Sequence, residues 1–263
     1  YSAANQAVLL TPFLLMGAMS PVTIPATLAQ QIAEALTGIT LSQLIRPGSP
    51  VIFGSFLSNI DMQSGSPQFG TPESGIGLLC TGQIARHFGL PFRSGGGLNS
   101  SQTADAQAGY ESLMTMMPTF LAGANWVMHT AGWLEGGLVS SLEKLVMDAD
   151  QLGVLHSVAE GVAMSEDAQA MGAIREVGPG GHYLGCEHTQ NNFKNSFWRS
   201  DVLDYKPFET WTEDGEKDTV TLANEKVHKM LSNYIQPPID PSIDEALKAY
   251  MQSRKDSEPD AFG

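Results

Sequence analysis

Positive charge is scarce in this 263-residue chain: 14 Lys and Arg stand against 28 Asp and Glu, a formal net charge of −14. Phosphate contacts need clustered Lys and Arg, so the composition argues against a nucleic-acid partner. The acidity gathers towards the C-terminal end, as in residues 213–218, and reads as a solvated surface. Cysteine is nearly absent. Cys80 and Cys186 alone make no disulfide framework, which fits a reducing, cytoplasmic setting. No uninterrupted apolar run approaches the roughly 18 residues of a membrane span. The apolar stretch 8–19 contains Pro12 and lacks a basic flank, so it is a poor signal peptide. There is no G-x-S-x-G elbow, and Gly95, Gly96 and Gly97 do not make a G-x-G-x-x-G fingerprint. His182, Cys186, Glu187 and His188 have ligand chemistry, but no H-E-x-x-H or C-x-x-C spacing accompanies them. That loop reads as a lid or wall, and no metal site is expected.

What is present is a repeat. Short apolar runs are each followed by a polar or Gly-rich loop and then a helical pattern. The first unit has a strand over 7–13, a loop with Gly17 and Pro21, and a helix over 25–36. The second has a strand over 51–55, a loop through Asn59, Asp61 and Gln68, and a helix over 72–88. Thr71 is placed to cap that helix, Pro72 takes its first position, and Glu73 complements its dipole. The third has a strand over 91–93, a loop over 94–101 and a helix over 104–120. The fourth has a strand over 125–130, a loop through Glu135 and a helix over 140–152. Strand starts recur at roughly forty-residue intervals, the size of one βα repeat. Short apolar strands joined by helices imply parallel pairing with both faces covered.

The expected fold is therefore α/β, with these units making half of a (β/α)8 barrel. An open doubly wound sheet is the alternative, and it usually carries the phosphate fingerprint missing here. Residues 1–158 are expected to form the half-barrel, and 159–263 a helical and loop extension packed on it. That extension reads as a helix over 159–175 stopped by Gly178, a polar and aromatic stretch over 182–204, and a helix over 219–234. A break at Pro237 and Pro238, a helix over 242–253 and a frayed tail over 257–263 follow. The chain opens at Tyr1 directly before an apparent core strand, which predicts residues upstream. Four parallel strands leave two bare edges, so either an upstream half or a homo-oligomer is expected to cover them.

Ligand chemistry in parallel α/β proteins gathers just past the carboxyl ends of strands. Four groups of residues fall there: Asn59 and Asp61; Arg93, Asn99 and Ser100; His129, Trp133 and Glu135; and a nearly apolar first loop. In a barrel they converge on one mouth. Each residue alone could be structural, Trp133 as core and His129 as a satisfied buried imidazole; arriving together they favour a site. Cys80 and the Met114–Met117 run read as helix packing.

Several of these blocks, in order, resemble the trimethylamine methyltransferase family, the corrinoid-dependent MttB superfamily. They are residues 54–59 with 65–73, 90–97, 105–112, 123–125 through 132–138, and 177–185 with His188 and Thr189. The resemblance runs from about Val8 to Tyr234 and implies a (β/α)8 barrel nearly twice this length, of which this chain is the C-terminal half. It implies transfer of a methyl group from a methylamine to Co(I) of a corrinoid carried by a separate small protein. Members acting on trimethylamine carry pyrrolysine in the barrel. This chain has only standard residues, and its glycine-rich loop near Leu98 occupies the corresponding region. That departure points towards a quaternary amine such as glycine betaine.

Elementary chemistry agrees with that shift. Demethylating a quaternary ammonium expels a neutral amine, so no acid need protonate the leaving group, and the protein mainly positions the methyl. Trp126, Trp133, Tyr110 and Glu135 are candidates to hold the cation. Arg93, His129 and Asn99 are candidates for a carboxylate. His129 and Glu135 are the expected catalytic residues, and Asn59 and His182 complete the expected substrate wall. Trimethylamine-type demethylation, a non-catalytic betaine-binding remnant and a metal-dependent lyase are the competing readings.

Overall fold

The computed structural model describes residues 1–258, in two compact units that divide between Val227 and His228. The first unit alternates strands and helices. It runs β1 (Val8–Leu10), β2 (Phe13–Met16), α1 (Ile24–Ile45), β3 (Val51–Gly54), β4 (Phe56–Ile60), β5 (Pro67–Gln68) and α2 (Pro72–His87). It continues with β6 (Phe92–Gly95), α3 (Ala106–Leu121), β7 (Trp126–Met128), β8 (Trp133–Leu134), β9 (Val139–Ser140) and α4 (Leu142–Glu160).

Strands β1, β3, β6 and β7 form one sheet in that order, every neighbouring pair parallel. Sheet order equals chain order, as expected from four successive βα units. The architecture is thus α/β with a parallel sheet. The first two strands are each broken: β2 and β4 continue past Pro12 and Ser55 and pair parallel with each other, Phe13 opposite Phe56. Pro12 lacks the N–H that an unbroken ladder would use.

Alternation along the strands separates two faces. Phe53 and Phe92 lie in register and pack with Ala35 of α1 and Ala85 of α2. The next residues in register, Gly54, Arg93 and Trp126, therefore face away from those helices. A second core cluster joins Val146 of α4 to Val202, Ala223 and Val227.

Local signals explain most boundaries. Thr71 caps α2 by accepting from the Ser74 N–H, with Pro72 in the first turn. Helix α1 outruns the expected 25–36 because its hydroxyl residues do not break it: Thr37 and Ser42 donate back to the carbonyls of Ala33 and Gly38. Strand β7 is shorter than 125–130, because His129 turns the chain at φ 59°.

The expected helix over 159–175 is not formed. Helix α4 ends at Gly161, whose φ of 72° suits glycine. Two short helices follow, α5 (Glu166–Gln169) and α6 (Met171–Val177), divided by Ala170 in the left-handed region at φ 47°. The 182–204 stretch carries α7 (Glu187–Asn192), and α8 (Phe208–Glu213) precedes α9 (Thr219–Ser232).

The second unit contains α10 (Pro241–Ser257), capped by Asp240, which accepts from the Ser242 N–H. Ser257, expected in a frayed tail, is helical and Glu258 caps that helix; 259–263 lie outside the described residues. Among the described residues no helix is long and apolar enough to cross a membrane.

Candidate functional site

Arg93 inside β6, His129 just past the end of β7 and Phe56 at the start of β4 come together with a group of aromatic rings. Arg93 is 3% exposed. Its Nη2 lies 3.0 Å from His129 Nδ1. A guanidinium can only donate, so Nδ1 accepts and the imidazole proton sits on Nε2. Arg93 Nη1 reaches the Ser55 carbonyl at 3.5 Å, and among the described residues its Nε has no partner. Among the described residues no carboxylate acts on the Arg93 charge, which burial alone perturbs. Burial lowers the Arg93 pKa from its ordinary value, although a guanidinium stays charged. Burial, and then the Arg93 charge, lower the His129 pKa below its usual 6.5, so the ring is neutral at pH 7.

The backbone beneath that ring is strained. A non-glycine residue at φ 59° is uncommon, and holding it there costs on the order of 1–3 kcal/mol. The neighbours that hold it are aromatic. The imidazole meets Phe56 at 6.3 Å and Trp133 at 5.6 Å, both edge to face. Phe56 stacks on Phe13 at 4.6 Å and meets the edge of Phe69 at 5.7 Å. Between Phe56, Phe69, Gly95 and Leu98 a void of only about 20 Å³ remains, so this aromatic floor is filled.

The other expected site residues divide. Trp126 is exposed on β7, in register with Arg93 and on the same face. Asn59 reaches the same end of the sheet, but its amide donates to Gln68 Oε1 at 2.7 Å and its oxygen accepts from the Thr71 hydroxyl. It organises the loop before α2. Asn99 is fully buried, and its amide donates to the Trp133 carbonyl at 2.6 Å. It is spent on the loop after β7 and is not free for a carboxylate. Glu135 is exposed in that loop at φ 49°.

Tyr110 and His182 are not brought to the site. Tyr110 is 75% exposed on α3 and lines a separate hollow of about 550 Å³ with Asp105, Asp150 and Asp218. Those carboxylates cap α3, hold Ser200, and accept from Thr221. His182 lies in an exposed loop before α7. In the same loop region His188 Nε2 lies 2.8 Å from the Asp167 carbonyl, and Cys186 Sγ is 3.3 Å from the Thr189 hydroxyl.

Sequence reasoning missed a buried polar chain behind the site. Lys144 and Asp148, one turn apart on α4, form an ion pair at 2.5 Å with side chains 1% and 5% exposed. Lys144 also donates to the Ser112 hydroxyl at 2.7 Å. Ser112 donates to the Gly97 carbonyl and accepts from Asn99. The other Asp148 oxygen accepts from the Gly132 N–H at 2.9 Å. Burial lowers the Lys144 pKa and raises that of Asp148, each offset in part by the other's charge. Glu111 Oε2 accepts from the Ser100 and Ser101 N–H groups. The only sequence signal was a Lys and an Asp four apart in an otherwise apolar helix face.

Comparison with known proteins places the chain in a family. The family model described as trimethylamine methyltransferase (MTTB) matches residues 1–259. A glycine betaine methyltransferase of Desulfitobacterium hafniense is 42% identical over 254 residues, 97% of this chain and 53% of that protein. The trimethylamine methyltransferase MttB1 of Methanosarcina mazei is 36% identical over 235 residues, 89% of this chain and 47% of that protein. A trimethylamine methyltransferase MttB of Desulfitobacterium hafniense is 30% identical over 240 residues, 91% and 48% respectively. The chain spans about half the length of these relatives. With a match over nearly its whole length, this chain belongs to the trimethylamine methyltransferase (MTTB) family.

Proposed function

We propose that this chain is the C-terminal half of a (β/α)8 barrel that moves a methyl group from a betaine-like quaternary amine to a corrinoid on a partner protein. Residues 1–158 supply the half-barrel and 159–263 the extension, in a cytoplasmic enzyme. The observation that carries the substrate class is Arg93: a buried cation without a carboxylate, joined to His129 beneath an aromatic cluster. A bare ammonium brought near that guanidinium meets like charge. A zwitterion does not, because its carboxylate supplies the missing anion.

The residues divide the zwitterion between them. Arg93 has an unused Nε–H, and neutral His129 presents its Nε2–H. Both are donors, and a carboxylate accepts only. The faces of Trp133, Phe56 and Trp126 suit the N-methylated end, each good contact being worth roughly 0.5–2 kcal/mol. The leaving tertiary amine keeps the electron pair of the broken C–N bond, so no general acid is required. When present, the corrinoid would supply a Co(I) nucleophile. The site fits an acceptor delivered from outside: Leu138 and Val139, on the hairpin above the aromatic floor, offer an exposed apolar edge. The glycine betaine methyltransferase among the relatives supports the same substrate class.

The test is a methyl-transfer screen with the full-length chain and Co(I) cobalamin. Glycine betaine should be converted to dimethylglycine while trimethylamine is left unchanged. Transfer from trimethylamine and from no quaternary amine overturns the substrate. Transfer from none, with a competent corrinoid partner present, overturns the enzyme reading.

A further inference from the structure

The loop that carries Trp133 is held from both sides by groups outside the site. On its N-terminal flank the Gly132 N–H donates to Asp148. On its C-terminal flank the Trp133 carbonyl accepts from Asn99. The two holds are one connected chain, because Lys144 bonds Asp148 and Ser112, and Ser112 bonds Asn99. The hydroxyl of Ser112 is the node of that chain, accepting from Lys144 and Asn99 and lying 3.1 Å from the Gly97 carbonyl. Gly132 itself has φ 85°, and a Cβ there would lie 3.3 Å from that of Leu145. The loop thus passes tightly over α4, where the Asp148 carboxylate satisfies its amide.

We infer that Lys144 and Asp148 are positioning residues for the betaine site: through Gly132 on one side and Ser112–Asn99 on the other, they set the Trp133 ring against His129. Among the described residues their side-chain hydrogen bonds go to each other, Ser112 and Gly132, and not to Arg93 or His129. Their effect on substrate runs through backbone placement, and a displacement of about 1 Å can change a site's performance by roughly a hundredfold. The inference rests on the betaine reading only for its affinity readout.

The single variants would leave a buried charge unpaired and threaten folding, so the test uses two paired variants of the full-length chain. Lys144→Met/Asp148→Leu removes both charges and the acceptor for Gly132. Lys144→Met/Asp148→Asn removes both charges and keeps an amide oxygen for Gly132. Two quantities are read: the KM for glycine betaine against kcat, and hydrogen exchange at the Gly132 amide. The Leu variant should raise KM by about tenfold or more and lose protection at Gly132, with global unfolding unchanged elsewhere. The Asn variant should regain protection and most of the affinity. Equal KM and equal Gly132 protection in both variants overturn the inference. If the wild-type chain does not act on betaine, the substrate reading fails, and Gly132 exchange alone still decides the positioning claim: loss confined to the Leu variant supports it, and no difference overturns it.

Discussion

Replacing Arg93 with methionine is expected to weaken glycine betaine binding by roughly 30- to 700-fold. The estimate follows from losing one partner of a buried, charge-assisted contact, about 2–4 kcal/mol at about 1.4 kcal/mol per tenfold. The stability of the free protein should fall little. Methionine keeps the apolar stem, and the group removed is a buried cation with no carboxylate among the described residues to strand. His129 loses its donor at Nδ1 and can keep a proton on either nitrogen. Discrimination should disappear as well: once the guanidinium is gone, a cation lacking a carboxylate no longer meets like charge. Calorimetric titration of the wild type and variant with glycine betaine, together with their melting curves, checks both halves. A variant that binds betaine as well as the wild type removes Arg93 from the site.

The largest stability loss is expected from Asp148→Ala, about 3–5 kcal/mol, because Lys144 would remain buried without its counter-ion. The same change strands the Gly132 N–H, whose lost bond adds to the penalty. Against a typical total of about 5–15 kcal/mol, this is a large share of the fold's margin. Denaturant unfolding should show it as a lower midpoint at an unchanged slope. The double variant Lys144→Met/Asp148→Leu should recover much of the loss, since apolar groups replace the whole pair. If Asp148→Ala is as stable as wild type, Lys144 is reaching solvent and the pair is not buried in solution.

The parallel sheet was legible because its signal is local. Each strand is a short apolar run, each is followed by turn residues, and a cap such as Thr71 marks the next helix. The site was legible by position only in part: His129 sits just past the end of β7, whereas Arg93, expected at a strand end, lies inside β6. Their pairing was not, because it depends on the register that sets β6 beside β7. Tyr110 shows the limit of reading by residue type: an aromatic in a family-like block points out from α3 into solvent. Lys144 and Asp148 failed in the opposite direction. Charges on a helix read as solvated, and only tertiary packing of α3 on α4 buries them. The break at Ala170 had no signal, because alanine is the strongest helix former and its left-handed backbone is imposed by context.

The most direct measurement of the central claim compares glycine betaine with tetramethylammonium, which offers the same methylated cation without the carboxylate. Both are titrated calorimetrically into the full-length chain. The account predicts that the zwitterion binds at least about tenfold more tightly, the worth of a charge-assisted contact, and that Arg93→Met abolishes the difference. Equal or tighter binding of tetramethylammonium, unaffected by Arg93→Met, would contradict it.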